Sequence, residues 1–328
     1  DDYSPPVPID APGDPCLRSM GLALMYRLGY KHSIHATLAR VADGKHLKST
    51  PDFAETLFGA ATESNGLKSR LGFETAPETK GKKPTVWKGP IERVLGAPKP
   101  TYYPNYIQQT PDSYEFGTVE KNADGKPAYK TFMHDDARLR GWKRYPVRAN
   151  TDASETEAGQ NNVKTAFVPL AAGASFTGRI HFHNGRPVEL GALLWALTWG
   201  DDPIEPKHWH SLGMAKPYGY GAVTLKIIAS DIRANAGNPP SADDCMRKFI
   251  EYMEGQVPDW NSTAQIQIQN LLAMADSTQS LDSALLKYPV LTTTQPRQND
   301  FADHKKAGHY LPDYLSLLAQ TNPGAAPV

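Results

Sequence analysis

The order of apolar and polar positions divides this chain into patterned ends and an unpatterned middle. "GLALMYRLG" (Gly21 to Gly29) is a short apolar run broken by Arg27, of strand length. In "DFAETLFG", Phe53, Leu57 and Phe58 share one helical face after Pro51 and Asp52, and Gly59 stops the turn. "LKSRLGFET" alternates Leu67, Ser69, Leu71 and Phe73 against Lys68, Arg70 and Glu74, which predicts a strand reaching Thr75. The two periods return at Phe176: "FTGRIHF" alternates to Phe182, and Val188 to Thr198 puts Leu190, Leu193, Leu194 and Leu197 on one side of a helix. Trp195 and Trp199 on that helical spacing are expected in the core. "AVTLKIIAS" predicts a strand over Ala222 to Ala229, in one antiparallel sheet with Phe176 to Phe182 and with the helix packed on it. Two further helices are predicted over Ala242 to Met253 and Ala264 to Ala275, and Phe301 to Val328, holding Pro312 and Pro323, reads as a tail.

Between Lys80 and Lys130 the pattern fails among seven prolines and many aromatics, which predicts a long loop or insertion. It is locally basic, with Lys80, Lys82, Lys83, Lys88, Arg93 and Lys99 facing only Glu92. A second basic segment, "RLRGWKRYPVR", sets Arg138, Arg140, Lys143, Arg144 and Arg148 around Trp142 and Tyr145 with no acid, before Asp152, Glu155 and Glu157 follow. Over the whole chain 35 Lys and Arg balance 35 Asp and Glu, so only such local patches can attract nucleic acid. The two cysteines, Cys16 and Cys245, are too few for a disulfide framework and read as small buried residues of a cytoplasmic protein. No apolar run approaches the roughly 20 residues of a membrane span. Asp1 to Asp14 is rich in Pro and Asp like a linker, which suggests part of a longer polypeptide.

Between two apolar stretches stands "SLGMAKPYGYGAV", a bend containing Gly213, Lys216, Tyr218, Gly219, Tyr220 and Gly221. It is neither a P-loop, since Pro217 follows Lys216, nor a dinucleotide fingerprint, since a strand-like run follows Gly221. As a ligand cradle, its glycines would let backbone amides approach phosphate oxygens, Lys216 would add charge, and the tyrosines, with Trp142 and Tyr145, would stack on bases. The competing chemistry is a metallohydrolase, because His181-x-His183 and His208-x-His210 each place two imidazoles on one face of a strand, with Glu189, Asp201 and Asp202 as acid or base candidates. Phe182 and Trp209 also give both pairs an ordinary alternating-strand reading, so no metal or other cofactor is assigned. No nucleophile elbow is present, and Asp43, Asp52, Asp135 and Asp136 lie in no catalytic motif, so no catalytic residue is assigned.

The run "FTGRIHFHNGRPVELGALLWALTWG" followed by "HSLGMAKPYGYGAV" resembles the carboxy-terminal signature of the RAMP superfamily (Cas7-like) of type III CRISPR effectors, in its insertion-bearing members. The matching positions are Asn184, Glu189-Leu190-Gly191, His210, Gly213 and Lys216 to Gly221, while near the amino end only "GDPCLRSMG" echoes the family's glycine-rich helix start. "AETLFG", "LKSRLGFETA" and "LRGWKRYP" are similar to further parts of such members. The resemblance implies an α/β, ferredoxin-like domain over residues 15–235, with a basic insertion around 76–164, an amino-terminal linker over 1–14 and a helical extension and tail over 236–328. It also implies an antiviral ribonucleoprotein subunit that grips guide RNA (crRNA), helps hold target RNA, and contacts other effector subunits. The expected RNA contacts are Arg138, Arg140, Lys143, Arg144 and Tyr145 in the basic segment, with Gly213, Lys216, Tyr218, Gly219, Tyr220 and Gly221 in the bend.

Overall fold

The computed structural model describes residues 29–41, 51–61, 66–79, 89–96, 102–151, 164–228, 232–262, 265–279, 285–292 and 297–321, with 63, 86 and 281. All of the expected strand over Gly21 to Gly29 except Gly29, the lysines from Lys80 to Lys99, and Cys16 lie outside them. Within them the chain is α+β: eight helices accompany four two-stranded antiparallel sheets.

Helix α1 (Ile34–Val41) is followed by the short α2 (Phe53–Phe58). The start of α2 is fixed by a capping box, in which Glu55 N–H donates to Asp52 and Asp52 N–H donates to Glu55. Gly59, at φ +82°, ends it where a Cβ would lie 2.7 Å from the Ser69 backbone nitrogen. Strands β1 (Ala60–Ala61) and β2 (Gly66–Leu67) form a small hairpin, and β3 (Leu71–Phe73) continues the predicted alternation. Leu57 of α2 and Leu71 of β3 are buried together against Leu193.

The region read from sequence as a loop holds β4 (Ile91–Val94), the one-turn α3 (Tyr103–Tyr106) and a core of its own. Ile107, Phe132 and Ala137 pack there almost without exposure. Their apolar positions come singly between prolines and aromatics, and isolated backbone bridges tie them, so no period marks them. Gln109 substitutes for a ladder: its side chain donates to the Ile107 and Lys130 carbonyls and accepts from Lys130 N–H. Arg93, counted from sequence as part of a basic loop, is a buried residue of β4.

β5 (Lys164–Phe167) pairs with β4, and β6 (Ile180–Phe182) pairs with β3. The next helix, α4 (Pro187–Thr198), starts at Pro187 with Glu189 accepting from Arg186 N–H at 2.8 Å. Arg70 joins this part together. Its guanidinium forms a two-pronged pair with Glu189, at 3.1 and 2.5 Å, and also donates to the Thr56 and Asn184 carbonyls. This bond and charge hold the Glu189 carboxyl below its ordinary range.

The expected single sheet uniting Phe176–Phe182 with Ala222–Ala229 is not found. β7 (His210–Ser211) pairs instead with β8 (Ala222–Val223), separately from the β3–β6 pair. The cause is the bend, whose left-handed residues Gly213, Ala215, Gly219 and Gly221 turn it back on itself, with Leu212 N–H donating to the Gly221 carbonyl at 2.8 Å. Beyond Val223 the backbone leaves strand geometry, and Ile227 N–H donates to Pro203.

The helical extension shares its core with α4. Helix α5 (Ala242–Gln256) lays Ala242, Cys245 and Met246 against Leu194, and Phe249 with Trp260 around Trp195. Cys245 and both α4 tryptophans are buried, as their spacing predicts. Helix α6 (Ile266–Ala273) follows. The expected tail contains two more helices, α7 (Asp300–Ala307) and α8 (Tyr314–Thr321), the second burying Tyr314 and Leu318 against Ala273 and Met274. Each has eight residues and Pro312 separates them, too short a pattern to register as periodic.

Helices α4 and α5 meet at Gly191, where a Cβ would stand 2.5 Å from the Cys245 carbonyl carbon and 3.0 Å from Phe249 Cβ. Gly191→Ala therefore forces the helices apart and is expected to cost about 1–3 kcal/mol, the range for overpacking. Thermal melting checks this, and an unchanged melting temperature would contradict the close packing.

Candidate RNA interface

The basic segment is an irregular strip fastened at both ends. Gln108 N–H donates to the Arg138 carbonyl and Arg140 N–H to the Tyr106 carbonyl, while the buried Val147 donates its N–H to Met274 at 2.8 Å. Between these points Trp142 Nε1 donates to the Gln267 carbonyl of α6 at 2.7 Å. Arg138, Lys143, Trp142 and Tyr145 are exposed, and Arg140 and Arg144 are half-buried.

Three of the four cations lie over aromatic rings: Arg140 over Tyr310 at 5.9 Å, Lys143 over Tyr106 at 5.1 Å and Arg144 over Trp199 at 4.5 Å. None of the four, Arg138 included, forms an ion pair with a described residue. Arg140 Nη1 is buried and has no hydrogen-bond partner among the described residues. Burial lowers the pKa of Arg140 and of Arg144, with Asp313 opposing it at Arg140, yet a guanidinium keeps its charge in a protein. The result is a row of cations without ion pairs to described residues, three of them stacked on rings, with Arg140 Nη1 buried.

Trp199 supports this row from below. It ends α4 in the left-handed region at φ 62°, an uncommon conformation for a bulky side chain that costs on the order of 1–3 kcal/mol. Its ring also stacks on His210 at 4.6 Å. His210 donates Nε2–H to the Leu197 carbonyl, and burial, with Arg144 nearby, lowers its pKa.

The glycine bend joins the strip at its far end. At Gly219 a Cβ would lie 2.7 Å from the Asn150 carbonyl oxygen and 3.3 Å from Arg148 Cβ. Tyr218 stacks on Tyr288 at 5.2 Å, and Tyr288 is also among the groups that, after burial, raise the Tyr145 phenol. The structure thus brings together the two segments expected to touch RNA, with Tyr288 beside both and Tyr106 beside the strip. Neither of those tyrosines was marked by the sequence, since Tyr288 lies in an unpatterned stretch and Tyr106 in the apparent loop.

The roles expected for the bend need correction. Tyr218 is 7% exposed and donates its hydroxyl to the Val94 carbonyl, so it is a core residue and not a base platform. Tyr220 is covered by Phe167 and by Arg93, at 5.6 and 5.8 Å. The space beside Gly219 and Gly221 is filled by the protein's own backbone, Asn150 at one and Leu212 at the other, where a ligand was expected. Lys216 donates to the Gly213 carbonyl at 2.6 Å, which closes the turn, and only Gly213 of these three glycines has open space at its Cβ position.

The four histidines do not form one centre. His181 pairs with Glu74 at 2.5 Å beside β3, whereas His208 donates Nδ1–H to Asp201 at 2.8 Å and His210 bonds Leu197. Among the described residues no three His, Cys, Asp or Glu side chains come together as a metal site. Only one member of each pair lies in a strand, His181 in β6 and His210 in β7, so neither pair is an alternating-strand pair. Among the described residues no helix is long and apolar enough to cross a membrane. The chain matches no known family profile and no curated protein sequence.

Because the bend packs on itself, Gly219→Ala and Gly221→Ala are expected to lower the melting temperature of the free protein more than Gly213→Ala. The last carries only the left-handed penalty of roughly 1–2 kcal/mol. Equal melting temperatures for all three, with only RNA affinity altered, would restore the ligand-cradle role.

Proposed function

We propose that this chain is the guide-RNA-binding part of a type III CRISPR ribonucleoprotein, a RAMP member. In this reading it works in the cytoplasm with target RNA and neighbouring effector subunits, and carries out no catalysis itself. The order of sequence motifs from Phe176 to Val223 supports the family. The family implies one sheet uniting Phe176–Phe182 with Ala222–Ala229, and the separate sheets count against it. The single observation that carries RNA binding is the strip in which Arg138, Arg140, Lys143 and Arg144 stand together without an ion pair to any described residue.

Partial burial of a cation without a carboxylate is unfavourable, and a phosphate group offsets that cost with charge-assisted hydrogen bonds. Stacking on Trp199 and Tyr310 orients the guanidinium planes before the ligand arrives. With no net charge on the chain, attraction comes from local basic patches such as this one.

Single-stranded RNA affinity measured by fluorescence anisotropy at several salt concentrations tests this. Each phosphate contact adds about −0.7 to the slope of log K against log salt. Lys143→Ala and Arg144→Ala are each expected to weaken binding, whatever the RNA sequence, and to make the slope shallower by about 0.7. Folded variants with unchanged affinity and slope would contradict the assignment.

A further inference from the structure

We propose that Trp142 and Tyr145 are two base-stacking platforms, which make the strip select single-stranded over paired RNA; this rests on the RNA-binding reading above. Both rings stand in solvent, Trp142 at 50% and Tyr145 at 44% exposure, although aromatic side chains are the groups whose burial stabilises a fold most. Neither makes a ring contact with another aromatic among the described residues.

Both are also held in place. Trp142 has its one donor tied to the Gln267 carbonyl, and Gly141 before it runs so close to α6 that a Cβ would lie 3.0 Å from Gln267 Cδ. Tyr145 precedes Pro146 and the anchored, buried Val147, with Tyr106 and Tyr288 beside it. A platform already ordered loses little conformational freedom when a base settles on it.

The order along the strip is platform, cation, cation, platform: Trp142, Lys143, Arg144, Tyr145. Phosphates between two bases thus meet charge between two rings, the arrangement of single-strand binders that tolerate any sequence. The two rings do not touch each other, so bases taken by both leave a continuous stack. A single strand allows this and a duplex does not.

The test uses three fluorescent probes of equal length: a single-stranded RNA, the same RNA annealed to its complement, and an abasic phosphodiester backbone. Wild type is expected to bind the single strand more tightly than either of the others. Trp142→Ala and Tyr145→Ala should each weaken single-strand binding roughly 5- to 150-fold, the value of one base stack, and leave the abasic probe unaffected. Trp142→Phe, which keeps a ring, should retain most of the affinity. Should Trp142→Ala fail to fold, Tyr145→Ala and quenching of 2-aminopurine placed in the single strand by wild type carry the test. Equal wild-type affinity for single-stranded and abasic probes, tight duplex binding, or no quenching overturns the platforms while phosphate binding stands. If wild type binds none of the probes, the RNA-binding reading fails and this proposal with it.

Discussion

Helices α4 and α5 touch through backbone at Gly191, and most of what surrounds the candidate interface is placed by that contact. Without a side chain at Gly191, α4 comes against the Cys245 carbonyl and the Phe249 side chain. This approach buries Leu194 with Cys245 and Met246, and Trp195 with Phe249 and Trp260. The outer side of α4 then meets β3 and α2 through Leu193, while Arg70 fastens Glu189 at its first turn. At its last turn Trp199 leaves the helix in a left-handed conformation and carries Arg144 and His210 on its ring. Core packing and the orientation of a surface cation are therefore linked through one helix.

The sheets have a lesser role. Each has two strands, and two-stranded sheets are marginal without packing against other elements. Here side chain to backbone bonds hold much of the rest: Gln109 across its loop, Tyr129 to the His309 carbonyl, Tyr102 to the Phe301 carbonyl. Burial raises the phenols of Tyr102, to about 12, and of Tyr129. Such bonds let an irregular, proline-rich stretch form a core and present Tyr106 and Tyr310 beneath the basic strip.

Helices with a full apolar face were legible in the sequence: α4, α5 and the capped α2 follow their spacing within a few residues, as do the buried Trp195 and Trp199. The core around Ile107 and Phe132 was not, because its apolar residues follow no period and are assembled by distant partners. Helices α7 and α8 escaped because two turns split by Pro312 give too little pattern. The strip from Arg138 to Arg148 was visible by composition, since cations interleaved with aromatics need no fold to be noticed. The glycines were noticed for a sound reason, positive φ, but sequence does not distinguish a bend that admits a ligand from one filled by Asn150 and Leu212. The histidine pairs were read by alternation, but each strand ends before it holds both imidazoles, His181 alone lying in β6 and His210 alone in β7.

The central claim is that RNA lies along residues 138–148. Ultraviolet crosslinking of bound single-stranded RNA, followed by mass spectrometry of the crosslinked peptides, tests it most directly. The account predicts nucleotide adducts on peptides containing Trp142 and Tyr145, with Tyr288 next in yield and the buried Tyr218 unmodified. Adducts confined to the β3–β6 face, or absent from Trp142 and Tyr145, would contradict it.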